Sequence, residues 1–288
     1  MNKAQGVCFP GQDPALLVRG HQHAAGAVQG VVVRPNHHCL ADPCVGSRGG
    51  GQRPRRHLRG YDRQPFATGV AEHQAHLFGE RGHGVVLAGL VNNAGVGTGG
   101  PLEFLDPDEV RHTFEVNVMG PLRLSQAFLP LLRTAQGRIV NIGSMAGKVG
   151  MVMNGSYSIS KFGLEAFSDT LRQELQPHGV RVALVEPGPI ATPMISGAQE
   201  KGDRHLQEMP PQATQYYGAR MAKLLAQLEQ MERQAAPPTV VVRAVEHALE
   251  AANPKTRYLV TREARALVFL RWLLPDRALD CLLAKMIA

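Results

Sequence analysis

Tyr157 and Lys161 stand four residues apart in the run Gly155-Ser156-Tyr157-Ser158-Ile159-Ser160-Lys161. On a helix that spacing puts both side chains on one face, one turn apart. A free phenol titrates near about pH 10 and is a poor proton shuttle at neutrality. A neighbouring ammonium favours the phenolate and moves the phenol toward the working range, so the pair reads as a candidate acid/base. Taken alone, the same spacing also describes an ordinary solvated helix face.

Other residues stand at suggestive positions around this pair. Upstream are Leu90-Val91-Asn92-Asn93-Ala94-Gly95, then Asn117 in Val116-Asn117-Val118-Met119-Gly120, then Ser144 at the end of Arg138-Ile139-Val140-Asn141-Ile142-Gly143-Ser144. Downstream is Pro187-Gly188-Pro189-Ile190-Ala191-Thr192. In order and spacing these motifs together resemble the short-chain dehydrogenase/reductase family, over about residues 70 to 288.

The resemblance implies a role for each residue. Tyr157 would exchange a proton with a substrate oxygen while a nicotinamide, NAD or NADP, exchanges a hydride with the adjoining carbon. Ser144 would hold that oxygen by a hydrogen bond, and Lys161 would bind the nicotinamide ribose as well as acting on the phenol. Asn117 would hold a water linking Lys161 to solvent. Asn92, Ala94 and Gly95 correspond to positions lining the adenosine side of the cofactor, and Pro187, Gly188, Ile190 and Thr192 to positions contacting the nicotinamide. Pro101-Leu102-Glu103-Phe104-Leu105, Glu186-Pro187-Gly188 and Asn253 to Tyr258 look most like the retinol and 17β-hydroxysteroid dehydrogenase branch. A bulky apolar alcohol or ketone is the substrate class this implies, and a homodimer or homotetramer the assembly. A catalytically inactive member of the family is the alternative.

The elements that must position these residues alternate. Gly89 to Asn92 reads as a buried strand entering a glycine turn. Asp106 caps a helix that has Pro107 at its first position and Glu109 three residues after the cap, and that helix should deliver Asn117 near its end. Pro121 to Leu132 reads as a second helix, Arg138 to Ile142 as a strand ending at Ser144, and Ser158 to Gln176 as a helix stopped by Pro177 and Gly179. Arg181 to Glu186 and Arg257 to Val260 complete the strands. Strands alternating with helices imply a doubly wound parallel sheet of α/β, Rossmann-like class in one domain, spanning 69 to 288.

Between Pro193 and Pro238 the pattern leaves the sheet. Gln212 to Gln234 favours helix, and its stripe of Met221, Leu224, Leu225 and Leu228 falls where the family carries its substrate-covering lid. The tail from Leu267 to Met286 is basic and amphipathic. It is suited to closing the pocket, packing on a second subunit or touching a membrane surface, the last not favoured.

Residues 1 to 68 do not fit the rest. They carry nine of the 31 Lys and Arg against three of the 24 acids, which is +6 of the net +7, and contain no Glu, no Ile and one Lys. Here the family resemblance requires a glycine-rich turn to cradle the cofactor diphosphate at a helix N-terminus, and none is present. Gly49-Gly50-Gly51 runs into Gln52-Arg53-Pro54-Arg55-Arg56, a poor helix start. A translated wrong frame, a highly diverged cofactor lobe and a basic disordered arm each account for the segment.

Composition limits the remaining classes. Nucleic-acid contact is not expected, because the arginines lack an interleaved stacking platform of aromatics. His37, His38, Cys39 and Cys44 match no common zinc spacing, so no metal is expected, and four cysteines are too few for a disulfide scaffold in 288 residues. No run of about 18 uncharged apolar residues occurs and the start lacks the pattern of a signal peptide, so a cytoplasmic protein is expected.

Overall fold

The computed structural model describes the backbone of Leu17–Gln22 and Val28–Arg34, and residues 86–195, 204, 207, 208 and 210–287, with side chains from Leu87 to Lys285. Six strands form one sheet in chain order: β1 (Leu17–Gln22), β2 (Val28–Arg34), β3 (Val86–Asn92), β4 (Arg138–Ile142), β5 (Arg181–Glu186) and β6 (Arg257–Leu259). From β3 to β6 every pairing is parallel, with Val91 opposite Val140 and Val140 opposite Ala183. β1 and β2 pair antiparallel, and β2 lies antiparallel to β3 with a register shift between Val32 and Val33. The Val31 to Val33 run thus falls in a strand, but an antiparallel one. Apart from β1 and β2, residues 1 to 68, including Gly49 to Gly51 and the His37, His38, Cys39 and Cys44 group, lie outside the described residues.

Crossovers between parallel strands need a helix to cover the exposed sheet face. α1 (Pro107–Phe114), α2 (Gly120–Ala135) and α3 (Gly155–Leu175) follow β3 and β4, and α4 (Pro211–Gln234) and α5 (Thr239–Glu250) precede β6. On one face, Leu124, Phe128 and Leu132 of α2 and Leu171 and Leu175 of α3 pack on Leu87, Leu90, Ile139 and Val182. On the other, Ala244 and Ala248 of α5 pack on Val140, Ala183 and Val185. Both faces are covered, as a doubly wound sheet requires, and this is why its strands read as nearly unbroken apolar runs.

α1 begins where its cap predicts: Asp106 Oδ1 accepts from Asp108 N at 2.8 Å. Its end differs from the expectation. The chain passes through a π-helical turn, Glu115–Met119, straight into α2, so Asn117 lies inside a wider turn and not at a helix end. Pro121 has no N–H to donate to the carbonyl four residues back, Asn117, which favours a departure from α pairing there. α3 starts at Gly155, three residues before the predicted start, and so includes Tyr157.

α5 was not legible in advance, because Thr239-Val240-Val241-Val242 is β-branched and strand-like. Burial of Ala244 and Ala248 against the sheet overrides that preference. Gly137, between α2 and β4, meets a tight approach: a Cβ there would lie 2.8 Å from the Leu87 carbonyl oxygen and from Leu132 Cδ2. The tail forms α6 (Arg262–Leu273) and α7 (Asp276–Ile287), broken at Pro275. Among the described residues no helix is long and apolar enough to cross a membrane.

Ile139 is fully buried between the two helices of the first face. Ile139→Ala is expected to lower stability by about 2–5 kcal/mol, read as a shift of the urea unfolding midpoint without a change in slope.

Candidate active site

The parallel strands deliver their C-terminal ends to one edge, and the expected catalytic and cofactor residues lie there or on a segment touching it. Asn92 ends β3, Ser144 follows β4, and Pro187 and Gly188 follow β5. Gly143 N donates to Val185 O at 2.7 Å and Met145 N to Pro187 O at 2.9 Å. These bonds flank Ser144 and hold it beside the Pro187-Gly188 turn. Ser144 also caps a 3₁₀ turn, Met145–Gly147, its Oγ accepting from Ala146 N at 3.2 Å.

The first turn of α3 presents Tyr157 and Lys161 to this edge. Lys161 Nζ lies 5.4 Å from the Tyr157 ring centroid and donates to Ile142 O at 2.7 Å. The lysine is buried, and burial lowers its pKa to about 8. The effect on Tyr157 differs from the expectation. Burial raises the phenol above its ordinary value and outweighs the opposing hydrogen bond with Ser144. The nearby ammonium does not reverse this in the chain by itself; the desolvation of a half-buried phenol is the larger effect.

Tyr157 is held from both sides. A Cβ at Gly97 would sit 3.1 Å from Tyr157 Cδ2, so only a residue without a side chain leaves that ring face room. Three buried serines flank it: Ser156 Oγ donates to Thr98 O at 2.7 Å, Ser158 Oγ accepts from Met151 N at 3.1 Å, and Ser160 Oγ donates to Tyr157 O at 2.7 Å. None of these serines is among the residues expected at the site, although their alternation around Tyr157 is visible in the sequence.

Asn117 is completely buried. Its Nδ2 donates to Val96 O and to Ser160 Oγ, both at 2.8 Å, and its Oδ1 accepts from Val96 N at 2.9 Å. It therefore ties the loop holding Ala94 and Gly95 to α3. Asn92 Nδ2 donates to Asn141 Oδ1 at 2.7 Å, and Asn141 Nδ2 to Ser168 Oγ at 2.9 Å, a chain that fastens β3 to β4 and β4 to α3.

Pro187, Gly188, Ile190 and Thr192 form the opposite wall. Ile190 bridges in parallel to Ala236, with Ala191 N donating to Ala236 O and Ala236 N to Pro189 O. In such a bridge the N–H and C=O of Ile190 point away from Ala236. Its carbonyl accepts from Thr192 Oγ1 at 3.3 Å. Met221 and Leu225 of α4 pack on Met153, just before α3, so the apolar stripe of that helix is core to this end of the molecule. Residues 196–203 of the expected lid lie outside the described residues. A cleft of about 240 Å³ lies between Leu102, Val152, Met153 and Tyr217 beside the start of α3. A larger open hollow of about 830 Å³ lies at the opposite edge, under the N-terminal ends of β4 and β5, away from this chemistry.

The site fits the nicotinamide half of a dinucleotide. An ammonium has three donors, and Lys161 uses one of them on Ile142 O; an ideal Cβ at Gly95 would lie 3.8 Å from its Nζ, so the approach to the amine is lined by bare backbone. Residues 79–203 match the family model for short chain dehydrogenases. The chain belongs to the short-chain dehydrogenase/reductase family. It is 43% identical over 179 residues to the mitochondrial D-beta-hydroxybutyrate dehydrogenase of Bos taurus, an alignment covering 60% of this chain and 52% of that one. It is 40% identical over 205 residues to retinol dehydrogenase 5 of Homo sapiens, covering 68% and 64%. The chain therefore spans about half to two thirds of the length of these relatives. A short chain dehydrogenase from Burkholderia cenocepacia J2315, solved in complex with NADP, shares 26% identity with a TM-score of 0.54, over 77% of each chain.

Asn117→Ala would leave the Val96 backbone groups and Ser160 without their partners. The expected loss is about 1–3 kcal/mol by urea unfolding, with faster amide exchange at Val96.

Proposed function

We infer that this chain is an NAD(P)-dependent oxidoreductase that interconverts an alcohol and a ketone or aldehyde. The observation that carries the reading is the convergence of Ser144, Tyr157 and Lys161 at the carboxyl edge of the parallel sheet. When bound, a nicotinamide supplies or accepts the hydride. Lys161 would hold the ribose hydroxyls with the donors it does not spend on Ile142. Ile190 would offer its outward N–H and C=O to the carboxamide, with Pro187, Gly188 and Thr192 beside it, and Asn92, Ala94 and Gly95 would line the adenosine side.

The proton path belongs to the protein. Ser144 orients the substrate oxygen toward the phenol. Because burial keeps Tyr157 protonated at neutral pH, it stands ready to give its proton to the oxygen of a carbonyl as that carbon is reduced; oxidation of an alcohol needs the phenolate, which a cation brought beside it favours. In this reading Asn117 would hold the water that links Lys161 to solvent, and Pro121, by withholding the α-helical N–H from the Asn117 carbonyl, supports that role.

A bulky apolar substrate, steroid- or retinol-like, is the class we favour. Its support is the similarity to retinol dehydrogenase 5 and the Leu102, Val152, Met153 and Tyr217 cleft beneath α4, which serves as a lid. Exposed Ile159 and Phe162 on α3 support a homodimer or homotetramer through α2 and α3. A second reading is a family member unable to bind a dinucleotide. It is favoured by the lack of a glycine-rich turn in residues 1 to 68 and by the antiparallel strand beside β3.

Titration with NADH and NADPH, followed by fluorescence, separates the two readings: saturable binding supports the first and none supports the second. Tyr157→Phe should then cut turnover by about 10²–10⁴-fold with cofactor binding retained. Full activity in that variant would sink the assignment.

A further inference from the structure

Behind the catalytic residues lies a cluster of charges that the proton path does not use. Glu186, the last residue of β5, is 1% exposed and leads directly into Pro187-Gly188. Glu165 lies one turn beyond Lys161 on α3 and Asp169 one turn further. Lys148 ends the short turn begun by Ser144, and Arg257 begins β6. Lys148 Nζ lies 2.5 Å from Glu165 Oε2 and 3.1 Å from Glu186 Oε1. Arg257 donates to Glu165, to Glu186 at 2.9 Å and to Asp169 at 2.6 Å.

Three carboxylates thus share two cations, and Glu165 Oε2 and Glu186 Oε1 meet on the same two, Lys148 Nζ and Arg257 Nη1. A second carboxylate so close favours the protonated form of Glu186. Glu165 Oε1 is buried with no hydrogen-bond partner among the described residues, so solvent does not spread the charge at that oxygen. The segments that carry Ser144, Tyr157, Lys161 and Pro187-Gly188 are arms of it: the Ser144 turn through Lys148, α3 through Glu165 and the Pro187-Gly188 turn through Glu186, with β6 joined through Arg257. Next along the chain from β6, Thr261 Oγ1 lies where a Cβ on Gly188 would clash.

We propose that Glu186 is a positioning residue: held by Lys148 and Arg257, it locks the Ser144 turn against the Pro187-Gly188 turn. The claim rests on the oxidoreductase reading only where it speaks of turnover. Burial and the neighbouring Glu165 push Glu186 up to about 7, against the partial relief of Lys148. The groups facing it are Lys148 from the Ser144 turn, Glu165 and Asp169 from α3, and Arg257 from β6. The neutral form of Glu186 therefore prevails at acid pH and gives way as pH rises through about 7, when a third negative charge enters the cluster. Between the ordinary carboxylate value and about 7 the folded chain holds one proton more than the unfolded chain, so stability falls with rising pH across that window.

Amide exchange of the full chain tests this, read at Gly143 and Met145 and corrected for the intrinsic pH dependence of exchange. In the wild type, protection at both amides should fall from about pH 5 to about pH 7 and level off above that. Glu186→Gln, which keeps a neutral donor and acceptor, should hold wild-type protection and turnover at the lower pH and show no fall at the higher. Glu186→Ala should lose protection by about tenfold or more at both and lose kcat with little change in the KM for cofactor. Should Glu186→Ala fail to fold, Lys148→Met, which removes one arm, should show the same loss. Unchanged protection in Glu186→Ala or Lys148→Met, or Glu186→Gln as impaired as Glu186→Ala, would overturn the proposal. The expected exchange pattern in a wild type that turns over no alcohol or ketone would instead refute the oxidoreductase reading and leave the positioning role standing.

Discussion

The structure depends on the meeting of two strand ends. β4 and β5 run parallel in register, so Ile142 and Val185 finish side by side. The bonds from Gly143 and Met145 to Val185 and Pro187 continue that ladder past the end of the sheet proper. A ladder fixes separation to a few tenths of an ångström in a way side-chain packing does not. Ser144 and the Pro187-Gly188 turn inherit that precision. The helix that carries Tyr157 and Lys161 is then seated on the same edge, and Lys161 itself bonds to the last carbonyl of β4.

Below this edge, burial and hydrogen bonding divide the labour. The apolar faces of α2 and α5 hold the sheet from both sides without specifying position along it. Position is specified by polar side chains that are buried and paired: Asn92 with Asn141, Asn141 with Ser168, Asn117 with Val96 and Ser160. A buried amide deprived of its partner is costly, so each such pair has one acceptable setting.

Much of this was legible in the sequence. The strands at Arg138 to Ile142 and Arg181 to Glu186 stand where their apolar runs and stop signals put them, because parallel strands buried on both faces have little freedom in composition. The cap at Asp106 was legible for the same local reason. What was not legible depends on tertiary contact. The β-branched start of α5 becomes helical only because its alanines meet the sheet. The π-helical turn at Asn117 depends on a proline four residues later and on an amide satisfied by a distant loop. The direction of the Tyr157 shift also escaped, since spacing reveals the ammonium but not the loss of water around the phenol. The charge cluster at Glu186 was invisible for a similar reason: its members come from four segments spread over 110 residues.

The parallel bridge between Ile190 and Ala236 has a consequence for how this protein can vary. It closes the neck of an excursion: the chain departs at Thr192 and is back beside its starting point by Ala235. Lengthening a loop whose ends are pinned together adds little closure cost, because that cost grows only with the logarithm of its length, provided the contacts of Met221 and Leu225 with Met153 are kept. The segment between those two points is therefore a module that can vary in length while its neck stays fixed. Other segments can be grafted between those two points while the sheet, the tyrosine and its neighbours stay as they are.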